Sequence, residues 1–316
     1  MHYRNVADIN KIILRRLSIL PRDFDLIVGV PRSGMLPANL LALYLNRPYT
    51  DIHSFINGHI YKAGARGSFF DIKDFRKVLV VDDSVSSGAA MNEVKEKLRS
   101  YSSSFDISYC AIYMTPGKEK TVDYFFETVP IPRYFQWNIL NHSSLEKACF
   151  DIDGVLCEDP APDENDDGEK YINFLLNARP LFIPGVRIGT LVTSRLEKYR
   201  KETESWLKAN NVKYNDLVML DLPDMAARQK ANSHAQHKAK AYMSKPYILF
   251  FESDLSQAVE INRISKKPVL CIENFEMIFD SESVFYNMKS GKYFPRLRNF
   301  ALKVRDTIRK RRNVKK

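Results

Sequence analysis

Residues 77–91 restrict the fold more than any other stretch. They read Lys-Val-Leu-Val-Val-Asp-Asp-Ser-Val-Ser-Ser-Gly-Ala-Ala-Met. The apolar, mostly β-branched run at 78–81 predicts a buried strand. Asp82 and Asp83 stand at its C-terminal end, a Ser/Gly loop follows, and a helix is expected over 91–98. In an open α/β sheet, ligands bind beyond the carboxyl ends of the strands. A helix N-terminus with free N–H groups and nearby hydroxyls receives anions. Two adjacent carboxylates beside such a cradle can accept hydrogen bonds from neighbouring sugar hydroxyls. An ordinary strand–turn–helix with a solvated Asp pair is the plainer alternative.

The stretch resembles the phosphoribosyl pyrophosphate (PRPP) motif of the type I phosphoribosyltransferases. The resemblance assigns Asp82, Asp83, Ser84, Val85, Ser86, Ser87 and Gly88 to PRPP, with the two carboxylates catalytic. Ala90 stands where the family often has Thr or Ser. Upstream, a strand is expected over 25–30 and a helix over 35–45, with Pro31-Arg32-Ser33-Gly34 between them. In the family this position takes the pyrophosphate, which implicates Arg32, Ser33 and Gly34. Residues 53–71 form a long irregular segment where the family keeps a hood over PRPP, so Lys62 and Arg66 are candidates for the pyrophosphate, or incidental charges on a surface loop. Helical spacing over 6–17 and strands over 107–114 and 124–127 complete the first half.

A second apolar strand, ending at Phe150, runs into Asp151-Ile152-Asp153-Gly154. The pattern resembles the haloacid-dehalogenase-like (HAD-like) phosphatases. By that resemblance Asp151 is the nucleophile and Asp153 the general acid and base. An EF-hand loop would need a different Asp/Gly spacing and a closing Glu. The later motifs follow in order. A strand over 188–193 ends in Thr193, with Ser194 as the near alternative for the phosphoryl group. Lys238 is the expected lysine, over Lys230 and Lys240. A strand over 247–251 leads to Glu252-Ser253-Asp254, where the family usually has Asp. The resemblance implies Mg²⁺ held by Asp151, Asp153 and Glu252. The segment between Asp153 and Thr193 holds an acidic loop and one helix over 171–176, enough for a small cap only. His234 and His237 read as a surface helix face.

At 316 residues the chain has room for two domains of ordinary size. The expected organisation is α/β throughout. A type I phosphoribosyltransferase domain occupies 1–144, a HAD-like domain with a small cap 145–287, and a basic amphipathic tail 288–316. The net charge of +10 is uneven: residues 289–316 carry +11 and the rest −1. A near-neutral body argues against nucleic acid as the main substrate. Leu297, Phe300, Ala301, Val304 and Ile308 share one helical face flanked by basic residues. Such a tail reads as a membrane-surface element, as a helix docked on the second domain, or as an RNA-binding tail. Four scattered cysteines without a CxxC pair, no bilayer-spanning run and no signal-peptide core point to the cytoplasm, with the inner membrane face as the peripheral option.

Together the resemblances imply an enzyme that transfers 5-phosphoribosyl from PRPP to an acceptor and then removes the 5-phosphate. The pairing looks like the modules that build ribofuranose into bacterial capsules and O-antigens, which implies a glycan acceptor, lipid-linked to suit the tail. A nucleobase or nucleotide enzyme and a non-enzymatic PRPP sensor are the alternatives.

Overall fold

The computed structural model describes residues 1–61, 72–165, 168–224, 226–227 and 234–282. Lys62, Arg66, Lys230 and the basic tail lie outside them. The chain divides into two compact units, Met1–Ile139 and Leu140–Lys316.

The first unit is built on a five-stranded, all-parallel sheet. Its strands are β2 (Leu26–Gly29), β3 (Tyr49–Asp51), β4 (Lys77–Val85), β5 (Asp106–Met114) and β6 (Tyr124–Thr128), in the order β3-β2-β4-β5-β6. Alternation along the strands feeds two apolar layers. Ile27, Leu79 and Val81 join Ile9 and Ile13 of α1 (Val6–Arg16) and Leu41 of α2 (Met35–Leu45). Leu26, Val28, Val78 and Val80 join Phe55 of α3 (Ile52–Ile56) and Leu98 of α4 (Ala89–Leu98). Asn5 and Asp8 close a capping box at the start of α1. A separate parallel pair joins β1 (His2–Arg4) to β7 (Arg133–Phe135).

β4 does not stop before the carboxylates. Asp82 pairs with Ala111, Ser84 with Tyr113 and Val85 with Met114, so the strand carries the Asp pair inside it. The chain leaves β2 for β3 and returns to β4 on the other side. This makes the β2–β4 boundary the topological switch point, where a crevice opens beyond the strand ends.

The second unit repeats the plan with other residues. Its strands are β8 (Ala148–Phe150), β9 (Ile188–Leu196), β10 (Tyr214–Leu220), β11 (Leu249–Glu252), β12 (Val269–Cys271) and β13 (Glu276–Ile278). The order is β10-β9-β8-β11-β12-β13, parallel except for β13. The helices are α5 (Glu169–Asn177), α6 (Arg200–Ala209), α7 (His234–Met243) and α8 (Leu255–Ser265). Here the chain switches direction at β8, whose C-terminal end delivers Asp151. No described helix is long and apolar enough to cross a membrane.

Candidate active sites

In the first unit, the loop after β2 and the end of β4 meet at the switch point. Gly34 is required there. A Cβ on it would lie 2.6 Å from the Val30 carbonyl oxygen, 2.8 Å from that of Val81 and 2.9 Å from Asp82 Cα. This approach brings Ser33 to the carboxylates, and its hydroxyl donates to Asp83 Oδ1 at 2.9 Å. Trp137 Nε1–H donates to Asp83 Oδ2 at 2.7 Å. The indole lies parallel to Phe135, with centroids 4.9 Å apart, so the ring is fixed from behind.

Asp82 receives the amide of Asp83 at 2.8 Å. Burial, with the charge of Asp83 added, pushes its carboxyl up to about 8. Gly88 caps α4 at φ +95°, and Ser86 and Ser87 are exposed beside it. The Ser87 hydroxyl accepts the Ala89 amide at 3.3 Å. Arg32 is exposed, and its peptide bond with Pro31 is cis. Arg133, buried under the loop, donates to the Val85 carbonyl at 2.9 Å. Sequence reasoning missed Trp137 and Arg133, for neither sits in a local pattern.

In the second unit, Asp151, Lys238 and Glu252 converge. Lys238 Nζ is buried and donates to Asp151 Oδ2 at 2.5 Å, Glu252 Oε2 at 2.7 Å and Gln257 Oε1 at 3.0 Å. Burial alone would lower the ammonium. The two carboxylates outweigh it and hold its pKa above the usual value. Burial pushes Asp151 up, with Lys238 opposing. Lys240, the rejected lysine, is exposed. Gly154, at φ +72°, turns the chain sharply after Asp153.

Three expectations need correction. Glu252 is not placed as a metal ligand. It is fully buried, one oxygen holds Lys238, and the other accepts the amides of Ser253 at 2.9 Å and Asp254 at 3.2 Å. Thr193 is also fully buried, with its Oγ1 accepting the Arg195 amide at 3.1 Å, and it is Ser194 that faces the pocket, because neighbours on a strand face opposite ways. The histidines do not form a surface face. His234 lines the pocket and His237 is half-buried, its Nε2 3.2 Å from the Thr193 carbonyl oxygen.

The pocket measures about 450 Å³ and is lined by Asp151, Asp153, Ser194, Lys238, Ser253 and Asp254, with Asp159 and Tyr171 from the cap segment. Asp159 therefore faces the site, and its carboxyl is raised by burial and the charge of Asp153. Among the described residues no group of three or more His, Cys, Asp and Glu side chains is arranged to hold a metal ion. Oxygen donors of the kind magnesium takes are nonetheless present on the pocket wall in Asp151, Asp153, Ser253 and Asp254. Arg195 was missed from the sequence. It is buried and bound to Asp153 through both carboxylate oxygens. Its only signal was its place two residues after Thr193.

Residues 2–140 match the family model for the phosphoribosyl transferase domain. The chain is 32% identical over 91 residues to the transcriptional regulator GfcR of Methanococcoides burtonii, an alignment covering 28% of this chain and 44% of that protein. It thus spans under half the length of that relative. Among solved structures, it is similar to a purine phosphoribosyltransferase from Pyrococcus horikoshii, with 24% identity, a TM-score of 0.31 and 43% of this chain and 92% of the other covered. A second is the Helicobacter pylori xanthine-guanine-hypoxanthine phosphoribosyltransferase, with 18% identity, a TM-score of 0.33 and coverages of 44% and 92%.

Proposed function

We propose that the chain is a bifunctional ribofuranosyltransferase that moves 5-phosphoribosyl from PRPP to a glycan acceptor and then removes the 5-phosphate. The phosphoribosyl transferase domain at residues 2–140 supports PRPP as donor. The observation that carries the pairing is a second strand-end site on the same chain, where a buried lysine holds the carboxylate of Asp151. A 5-phosphoribosyl product carries a phosphate ester, the bond such a carboxylate can attack.

In the first site, the magnesium complex of PRPP lies across the switch point. Ser86, Ser87, Gly88 and the α4 N-terminus take the 5-phosphate, Arg32 to Gly34 take the pyrophosphate, and Asp82 and Asp83 face the ribose hydroxyls. The C1–O bond to pyrophosphate breaks with its electron pair leaving on pyrophosphate. The acceptor hydroxyl oxygen bonds to C1 and its proton passes to solvent water. Carboxylates beside the ring stabilise the positive charge that develops on it. Lys62 and Arg66 remain candidates for the pyrophosphate.

In the second site, Asp151 attacks phosphorus, Lys238 holds the nucleophile and Ser194 meets the phosphoryl group. Asp151, the Asp153 carbonyl and Ser253 or Asp254 would hold magnesium, which supplies charge neutralisation for the phosphoryl oxygens. Glycan acceptors in surface polysaccharide synthesis follow from the family resemblance, and the +11 tail suits a lipid-linked acceptor at the inner membrane face.

A PRPP-responsive regulator is the second reading, favoured by the 32% identity to a transcriptional regulator. The deciding experiment supplies PRPP with glycan and with nucleobase acceptors and analyses products by mass spectrometry. A pentosyl adduct on the glycan, free of phosphate, is expected. An adduct on the nucleobase alone sinks the glycan assignment, and no turnover of PRPP favours the regulator.

A further inference from the structure

The second site contains a charged group to which the reaction as described gives no task. Arg195, near the end of β9, is 1% exposed. Its Nε donates to both Asp153 oxygens, at 3.1 and 3.2 Å, and its Nη2 donates to Oδ1 at 2.6 Å. Nη2 also lies 3.3 Å from Cys157 Sγ, and Nη1 donates to Thr203 Oγ1 at 3.4 Å. The guanidinium stands 5.9 Å from the ring centroid of Phe174 on α5. It is thus held by the turn after β8, by α5 and by α6.

Filling a core does not call for this arrangement. An apolar side chain of similar volume serves a core as well as a buried ion pair, or better. An apolar residue could not fix both oxygens of Asp153 at the pocket wall, two residues from Asp151. A planar guanidinium fork does that, and it loses less freedom than a lysine in doing so.

We infer that Arg195 is a positioning residue that fixes the Asp153 carboxyl for both of its proton transfers, an inference that rests on the phosphatase reading. In the first step an Asp151 oxygen bonds to phosphorus. The bond from phosphorus to the ester oxygen breaks, its electron pair goes to that oxygen, and Asp153 gives it a proton. In the second step a water oxygen bonds to phosphorus and its proton passes to the Asp153 carboxylate. The bond from phosphorus to Asp151 breaks with its pair returning to Asp151, and phosphate leaves. One carboxyl serves in two protonation states. The fork can keep one oxygen while the other exchanges the proton.

The test uses the full-length protein with magnesium, its Arg195→Met and Arg195→Lys variants, and two esters. Ribose 5-phosphate has an alkoxide leaving group that needs a proton. p-Nitrophenyl phosphate releases a stable phenolate that does not. With the aryl ester, the Met variant is expected to release a burst of about one nitrophenolate per enzyme and then turn over about 100-fold more slowly than wild type. With ribose 5-phosphate its kcat falls by about 100-fold while KM moves less than about threefold. The Lys variant recovers about tenfold of that loss. Wild-type kcat on both esters in the Met variant, or in the Lys variant should the Met variant not fold, overturns the inference. So does a burst and steady rate that fall together, in proportion to the folded fraction seen by circular dichroism. A wild-type protein that hydrolyses neither ester removes the phosphatase reading itself, and the role of Arg195 with it.

Discussion

Asp82 and Asp151 are both buried carboxyls raised by their surroundings, yet they differ in what compensates them. Asp151 has the Lys238 ammonium against it, while Asp82 accepts the Asp83 amide and lies beside the carboxylate of that same residue. The folded chain holds the Asp82 proton up to about 8, against 3.8 for the free side chain. Its contribution to stability is therefore complete below the lower value and is lost as the pH climbs through the window to the upper one. Asp82→Asn removes this titration. The Tm of the variant should gain on wild type steadily from about pH 4 to about pH 8 and level off above, as followed by thermal melts without ligand. Parallel curves across that range would contradict the raised carboxyl. Asp151→Asn has a different expected outcome: transfer continues, and the product keeps its 5-phosphate. Mass spectrometry after incubation with PRPP and acceptor should find the phosphorylated adduct accumulating. Release of phosphate at the wild-type rate would show that Asp151 is not the nucleophile.

Both sites depend on short loops pressed against a strand end, and Gly34 shows how little room the first loop has. Gly34→Ala sets a methyl group within 3.0 Å of three backbone atoms, one at Val30 just past β2 and two on β4, so the loop must move. Transfer is expected to fall by at least about tenfold through a raised KM for PRPP, with ribose 5-phosphate hydrolysis unchanged. Steady-state kinetics on the two half-reactions separates the outcomes, and a matching fall in hydrolysis would mean general damage. The elements carrying these loops were legible in the sequence because each is a run with one period. β4, α2 and β9 start where apolar runs and spacing put them, though β4 runs on through Val85 and β9 through Leu196. The place of Lys238, on a helix before the strand that ends in Glu252, is where the sequence pattern expects a lysine. What the sequence hid is contact across chain distance. The donation from Trp137 to Asp83 and the fork of Arg195 on Asp153 join residues far apart in the chain, and no local period records them. Glu252 misled for a related reason. A carboxylate at a strand end looks the same in sequence whether it faces a metal ion or, as here, a buried lysine.

At the scale of the whole chain, charge is segregated. Residues 289–316 carry +11 and the remainder −1, so attraction to an anionic surface belongs to the tail. Deleting residues 294–316 should abolish sedimentation with anionic vesicles and leave turnover of a short, lipid-free acceptor nearly unchanged. Binding of the intact chain should weaken sharply with salt, since the attraction fades beyond a screening length of about 8 Å at physiological ionic strength. Vesicle binding that survives the deletion would rule out the tail as anchor, and a loss of thermal stability would point instead to a helix docked on the second unit. A different consequence follows from the pairing of His2–Arg4 with Arg133–Phe135. The strand at His2–Arg4 has its partner among the last residues of its unit, about 130 residues later in synthesis. At about 5–20 residues per second, this strand waits on the order of ten seconds for that partner to be synthesised. Until then its edge is unpaired and Trp137 has not reached Asp83, so a nascent chain stalled short of this point should lack a finished transfer site, however well its earlier strands have paired.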